Sequence, residues 1–189
     1  MDVNIVIPEK LYKALKRHLF EGRKEQGAFL FASETSSTSE MNLTAEDIYL
    51  IPPEAWDVQE STYLELSEEE KVKVKIMIMA RKRDCHLVEC HSHRSPYGAA
   101  CFSPSDIYGL EEFVSYVRWK LPGKKYGALV WAKDSVSGQV WDGTNPSPLP
   151  VKEVRIIRKD GTYQTIKPPI QKKRGKIFSW ANLFKRGSK

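Results

Sequence analysis

Leu87-Val88-Glu89-Cys90-His91-Ser92-His93 runs into a loop and then into Ser103-Pro104-Ser105-Asp106, and both the fold and the chemistry turn on how this stretch is read. A short apolar run feeds two histidines one residue apart. Side chains alternate along a strand, so His91 and His93 leave the same face side by side, and Glu89 shares that face by the same parity. Beyond the loop, Ser103 occupies an N-cap position with Pro104 at the first helical position and Asp106 at the third. Ile107, Leu110, Phe113, Val114 and Val117 then carry helical periodicity to Lys120. Strand, loop and helix in this order bring a carboxylate at a helix mouth back to two imidazoles. Two imidazoles and a carboxylate are a usual protein share of a hydrolytic zinc, whose fourth position is left for water. Each half alone is ordinary, since His-x-His occurs by chance and Ser-x-x-Asp starts many helices. Their order favours a metal site held by His91, His93 and Asp106. An Asp106 that binds metal is expected to be lost as the reciprocal capping acid.

The remaining histidines read as structural or surface groups: His86 lies on the opposite strand face from His91, and His18 belongs to a helix. Cys101 is close in sequence to Ser103, but a thiol nucleophile needs a base that is not already tied to metal.

Working outward, Leu11, Leu15 and Leu19 recur at every fourth position between Pro8 and Phe20, which predicts an amphipathic helix. Gly27–Ala32 predicts a buried strand, the polar SETSSTSE that follows a surface turn, and Ile48–Ile51 a second strand. Ser67 with Glu70 has the spacing of a capping box and predicts a helix to about Met79. Strands are expected at Tyr126–Trp131, Gln139–Trp141, Val151–Ile157 and Tyr163–Ile166, the last two joined by a turn at Asp160-Gly161. Three helices among six or more strands make a mixed α+β or α/β domain with helices flanking a sheet.

A chain of 189 residues suits one domain, expected over 1–170. With 41% hydrophobic and 29% charged residues it is not a wholly disordered chain. The net charge of +6 sits in a tail: residues 171–189 carry seven Lys and Arg and no acid, leaving the rest near −1. Such a tail could meet nucleic acid or an acidic surface, but the basic balance does not describe the domain. No apolar stretch is long enough to span a bilayer and no secretory signal is evident, so a cytoplasmic location is expected. Cys85, Cys90 and Cys101 form no CxxC pair and read as small buried hydrophobes in a reducing compartment.

These residues resemble the JAMM (MPN-domain) metalloproteases, whose pattern is an upstream Glu, then His-x-His, then Ser-x-x-Asp. Glu25-Gln-Gly-Ala28-Phe-Leu30 fits the upstream element, and His91, His93, Ser103 and Asp106 fit the rest. Two positions depart: Arg94 stands where the family commonly has Pro, and the gap from His93 to Ser103 is longer than usual. The resemblance implies a cytidine-deaminase-like fold, one zinc ion (Zn2+) per chain on His91, His93 and Asp106, Glu25 as general base and Ser103 as oxyanion donor. Glu21 and Glu89 remain alternatives for the base, Glu89 also as a group orienting a ligating imidazole. The segment from His86 to Trp141 looks most like bacterial members that accompany ubiquitin-like conjugation systems. This implies isopeptidase or peptidase action on a ubiquitin-like protein or its conjugate, with conjugation-system enzymes as candidate partners and no membrane. The competing classes are a non-catalytic MPN scaffold, which lacks the ligands this chain has; a small-molecule zinc hydrolase or deaminase, whose Cys pair is missing; and a nucleic-acid module driven by the tail.

Overall fold

The computed structural model describes residues 1–59, 64–66, 69–94, 99–143 and 145–169. The basic segment 171–189 and the Ser67 helix start lie outside the described residues. In chain order the elements are β1 (Asp2–Pro8), α1 (Glu9–Phe20), β2 (Gly27–Ser36), β3 (Glu40–Leu50), β4 (Trp56–Gln59), β5 (Leu64–Leu66), α2 (Glu69–Arg83), β6 (His86–Ser92), α3 (Pro104–Lys120), β7 (Tyr126–Trp131), β8 (Val136–Trp141), β9 (Leu149–Ile157) and β10 (Tyr163–Ile166).

The strand order β1-β3-β2-β6-β7-β8-β9 closes on itself, because β1 pairs in parallel with β3 on one side and with β9 on the other. The result is a mixed α+β domain around a closed seven-strand barrel, with β10 added to β9 and β4–β5 forming a separate ribbon. Alternation along each strand divides the barrel into two faces. Ala28, Leu30, Val88, Cys90 and Leu129 pack with Val3, Ile5 and Ile7 and with Leu15 and Leu19 of α1. Phe29, Phe31, Leu87, Tyr126 and Ala128 face the other way, against Ile76 and Ala80 of α2 and Val114 and Val117 of α3. Leu15 and Leu19 are fully buried, and each contributes about 2 kcal/mol through area removed from water. Glu25, Gly27, Glu89 and His91 share the parity of the second face, so the site is built on the side of the sheet that α3 covers.

Several elements differ from what the sequence pattern predicts. β1 was not expected at all; its Val3–Ile7 run has no polar alternation because both edges are paired and both faces are buried. The polar SETSSTSE is not a wide turn. β2 and β3 stay paired from Ser33↔Thr44 to Ser36↔Met41, and the chain turns only at 37–39, where the Ser37 N–H donates to the Glu40 carbonyl at 2.7 Å. The helix expected to stop near Met79 continues to Arg83. Cys85 and Cys90 are buried as expected, but Cys101 is exposed, which corrects its reading as a core hydrophobe. No helix among the described residues is long and apolar enough to cross a membrane.

Candidate metal centre

His91 is the last residue but one of β6 and His93 lies one residue past its end, where the strand's hydrogen bonding continues through the His93 N–H, which donates to the Trp131 carbonyl at 2.7 Å. Their rings lie 5.0 Å apart. The loop back to α3 is pinned where the Ala100 N–H donates to Ser135 Oγ at 2.8 Å, and Phe102 then sets its ring edge against His91. That anchoring delivers α3 to the histidines despite the longer gap. The part of the loop at 95–98 lies outside the described residues.

Ser103 is the N-cap of α3: its Oγ accepts the Asp106 N–H at 3.1 Å, and the Ser103 N–H donates to Asp106 Oδ2 at 2.6 Å. Asp106 Oδ1 lies 3.4 Å from His91 Nε2, and Oδ2 lies 3.2 Å from His93 Nε2. The expected conflict between capping and metal binding therefore does not arise, because the carboxylate has two oxygens. Oδ2 closes the capping box and also lies against His93, while Oδ1, which takes no part in the cap, is turned to His91. Ser103 Oγ also lies 2.8 Å from Ser105 Oγ. Either hydroxyl can be the donor in that contact, so the Ser103 proton can be given to Ser105 or, where Ser105 donates, outward.

One ligand atom from each of His91, His93 and Asp106 falls within 4.8 Å of the others. Asp106 reaches the two imidazoles through different oxygens, Oδ1 at 3.4 Å from His91 and Oδ2 at 3.2 Å from His93, each close to the roughly 3.4 Å between two ligand atoms of a zinc with bonds of about 2.0–2.1 Å. The buried Nε2 of His91 makes no hydrogen bond among the described residues. Asp106 Oδ1 lies at ion-pair distance from it, 3.4 Å, and a cation between the two would satisfy both. The residues present fit a metal ion. With protons alone, burial disfavours the charged form of His91, but Asp106 and Glu89 on either side of the ring outweigh it and hold its pKa up to about 9. For Asp106 burial opposes ionisation, and the two imidazoles with the Ser103 N–H overcome that and keep it well below the usual carboxylate range.

Glu89 stands behind the ligand, with Oε1 3.5 Å from His91 Nδ1. The buried Tyr126 hydroxyl donates to its other oxygen. The strand pattern pointed to Glu89. It could not point to Tyr126, which arrives from β7 through a parallel register that pairs Leu87 with Tyr126.

Glu25 lies in the connection between α1 and β2 and is buried to 4% exposure. Its segment is stitched to the histidine strand: the Gln26 N–H donates to Ser92 Oγ at 3.0 Å, and the Ser92 N–H to the Gln26 carbonyl at 3.0 Å. Two residues on, Gly27 is the cross-strand partner of His91. A side chain at Gly27 would meet Trp56 Cη2 at 3.0 Å, so glycine lets the indole close over the sheet beside the site. Burial pushes the Glu25 carboxyl up, while His93, His91 and the Arg94 N–H pull it back and Asp106 adds to the rise. The three carboxylates weighed as a base thus occupy different positions: Glu25 is buried within range of the charges of both imidazoles and Asp106, Glu89 backs His91, and Glu21 is exposed.

The other histidines are tied elsewhere. His18 Nε2 lies 2.9 Å from the Gly27 carbonyl oxygen, and His86 is held between Glu34 and Lys125.

No family model and no curated protein matches the chain. Among solved structures it is similar to a protein from Desulfitobacterium hafniense determined in solution, at 15% identity over 87% of this chain and 91% of that one. The TM-score is 0.40, and a likeness at that level carries no argument about function.

Proposed function

We propose that the protein is a zinc-dependent peptidase or isopeptidase of the JAMM (MPN-domain) type, on a cytidine-deaminase-like version of the α+β fold, that releases a ubiquitin-like protein from a conjugate or precursor. The observation that carries this reading is the convergence of His91, His93 and Asp106 within 4.8 Å, with the buried Glu25 against the same charges. The substrate class and the conjugation-system partners rest on the resemblance of the sequence.

His91, His93 and Asp106 would hold the zinc, which when bound supplies Lewis acidity and a water that ionises near neutral pH. Glu25, with its carboxyl raised by burial, would serve as the base that accepts a proton from that water and passes it to the leaving amine. Ser103 donates its hydroxyl proton to the oxyanion of the tetrahedral intermediate, while its oxygen stays anchored by the Asp106 N–H. Glu89 keeps a proton on His91 Nδ1, which presents Nε2 as the ligating atom.

Metal analysis of the purified protein beside His91→Ala and Asp106→Ala, with cleavage of a ubiquitin-like fusion assayed in parallel, tests the reading. One zinc per chain, lost in both variants together with cleavage, is the expected result. Unchanged metal content in either variant defeats the site, and a metal-loaded wild type that cleaves no such fusion defeats the substrate class.

A further inference from the structure

Arg94 follows the histidine pair directly and turns its side chain away from the cluster, toward the end of α1. Its guanidinium lies 3.5 Å from the carbonyl oxygens of Leu19 and Phe20, 3.2 Å from that of Glu21 and 3.1 Å from that of Lys24, and it stacks on the Phe20 ring at 5.3 Å. The last carbonyls of a helix have no intrahelical partner and carry the negative end of its dipole, so a cation with a planar fork of donors suits them. The Lys24 carbonyl is the group that matters for the site, because it belongs to the peptide that enters Glu25. In addition, the backbone N–H of Arg94 donates to the Glu25 carboxylate. A single residue thus grips the segment on both sides of Glu25, the side chain holding its backbone and the main chain holding its carboxylate. Proline at this position has no N–H and could do neither.

We propose that Arg94 is the positioning residue for Glu25, fixing both the connection that carries it and the direction of its carboxylate relative to His91 and His93. The proposal rests on the reading of Glu25 as the base that serves a metal held by His91, His93 and Asp106. A geometric error of about 1 Å in a base costs about a hundredfold in rate, so the contribution is kinetic and does not enter metal affinity.

The test uses the full chain loaded with cobalt(II) in place of zinc, with Arg94→Ala, Arg94→Pro, Arg94→Lys, Glu25→Gln and the double variant Glu25→Gln/Arg94→Ala. The readouts are cobalt stoichiometry, the visible cobalt spectrum, and kcat and KM on a fluorogenic ubiquitin C-terminal amide. Cobalt stoichiometry should stay at the wild-type value in all of them. The spectrum of Arg94→Ala should move toward that of Glu25→Gln, that of Arg94→Pro further, and Arg94→Lys should lie between Arg94→Ala and wild type. On the amide, Arg94→Ala should lower kcat by about ten- to a hundredfold with KM unchanged. In the Glu25→Gln background the same change should cost nothing more, because the group it positions is already disabled. A wild-type spectrum in Arg94→Ala, or an equal loss of rate in both backgrounds, overturns the proposal and leaves Arg94 as a helix cap. If Glu25→Gln itself leaves the cobalt spectrum unchanged, it is the assignment of the base that fails. The spectrum decides between these outcomes even if the amide is not cleaved, and Arg94→Lys keeps the test available if Arg94→Ala does not fold.

Discussion

His86 opens β6 and His91 lies near its end on the opposite face, and both are shielded and set beside carboxylates: their side chains are 13% and 8% exposed. Their wiring is opposite. His86 Nδ1 accepts the Lys125 N–H at 3.0 Å, which leaves Nε2 to donate to Glu34 at 3.2 Å, and Lys125 pairs with the same carboxylate at 2.6 Å. Both nitrogens are satisfied with the ring neutral, and burial, helped by the Lys125 and Lys124 charges, pulls its pKa down. His91 has a carboxylate at each nitrogen, a raised pKa and an Nε2 without a hydrogen bond. Burial beside a carboxylate therefore does not distinguish a metal ligand from a structural histidine. What distinguishes them is whether the second nitrogen already makes a hydrogen bond.

Paired substitutions press this contrast hardest. His91→Ala should weaken zinc binding on the order of a thousandfold or more, since one of three protein ligands is lost. His86→Ala should leave zinc stoichiometry at its wild-type value and cost about 1–3 kcal/mol of folding stability, because Glu34 and the Lys125 N–H lose a buried partner. Metal analysis and denaturant titration of both variants separate the two effects. Equal zinc loss in both would erase the distinction.

The next effect in size belongs to Glu89. Glu89→Gln keeps the shape and can still accept from Tyr126, but it removes the charge behind His91 Nδ1. It should weaken zinc about ten- to a hundredfold, measured by competition with a chromophoric chelator. Tyr126→Phe, which loosens Glu89 without neutralising it, should fall between Glu89→Gln and wild type.

How much of this was visible in the sequence follows from the range of each contact. His91 and His93 are two residues apart on a strand, and Ser103 and Asp106 three apart at a helix start, so local periodicity placed both pairs, and the structure brings them together. His86 could be assigned to the other face by parity alone. Glu25 was found only through resemblance, because its approach depends on the antiparallel register that sets Gly27 opposite His91. Tyr126 and the Arg94 grip depend on a parallel register and on a helix end more than seventy positions away in sequence, which no local pattern specifies. β1 went unseen for a related reason: a strand paired on both sides and buried on both faces shows a run, apolar here but for Asn4, without alternation. The polar Ser33–Ser36 misled in the other direction, since its residues extend a hairpin into solvent without needing a core.

Zinc uptake sharpens the contrast through pH. The metal displaces a proton from His91, which is held up to about 9, so apparent affinity should rise roughly tenfold per pH unit through the neutral range and flatten near that value. Isothermal titration in buffers of different ionisation enthalpy would show the released proton. His86→Ala should leave this slope alone.

The smallest effect is on the stability of the metal-free protein, where the two histidines give limbs of opposite sign. His91 has a folded-state pKa raised above its ordinary 6.5, so its contribution is fully present below 6.5 and is lost as pH rises toward about 9. His86 has a folded-state pKa lowered from 6.5. Its contribution is present above 6.5 and is lost as pH falls, because the unfolded chain then binds the proton that the folded ring refuses. Unfolding free energy by urea across this range should therefore show a maximum between the two limbs. His91→Gln should flatten the alkaline limb, and His86→Gln the acid limb nearest neutrality, leaving the carboxylate-driven loss at lower pH, to which Asp106 contributes, in place. If both substitutions altered the same limb, the two rings would not be wired in opposite ways, and the pair of carboxylates on His91 would not be what sets it apart.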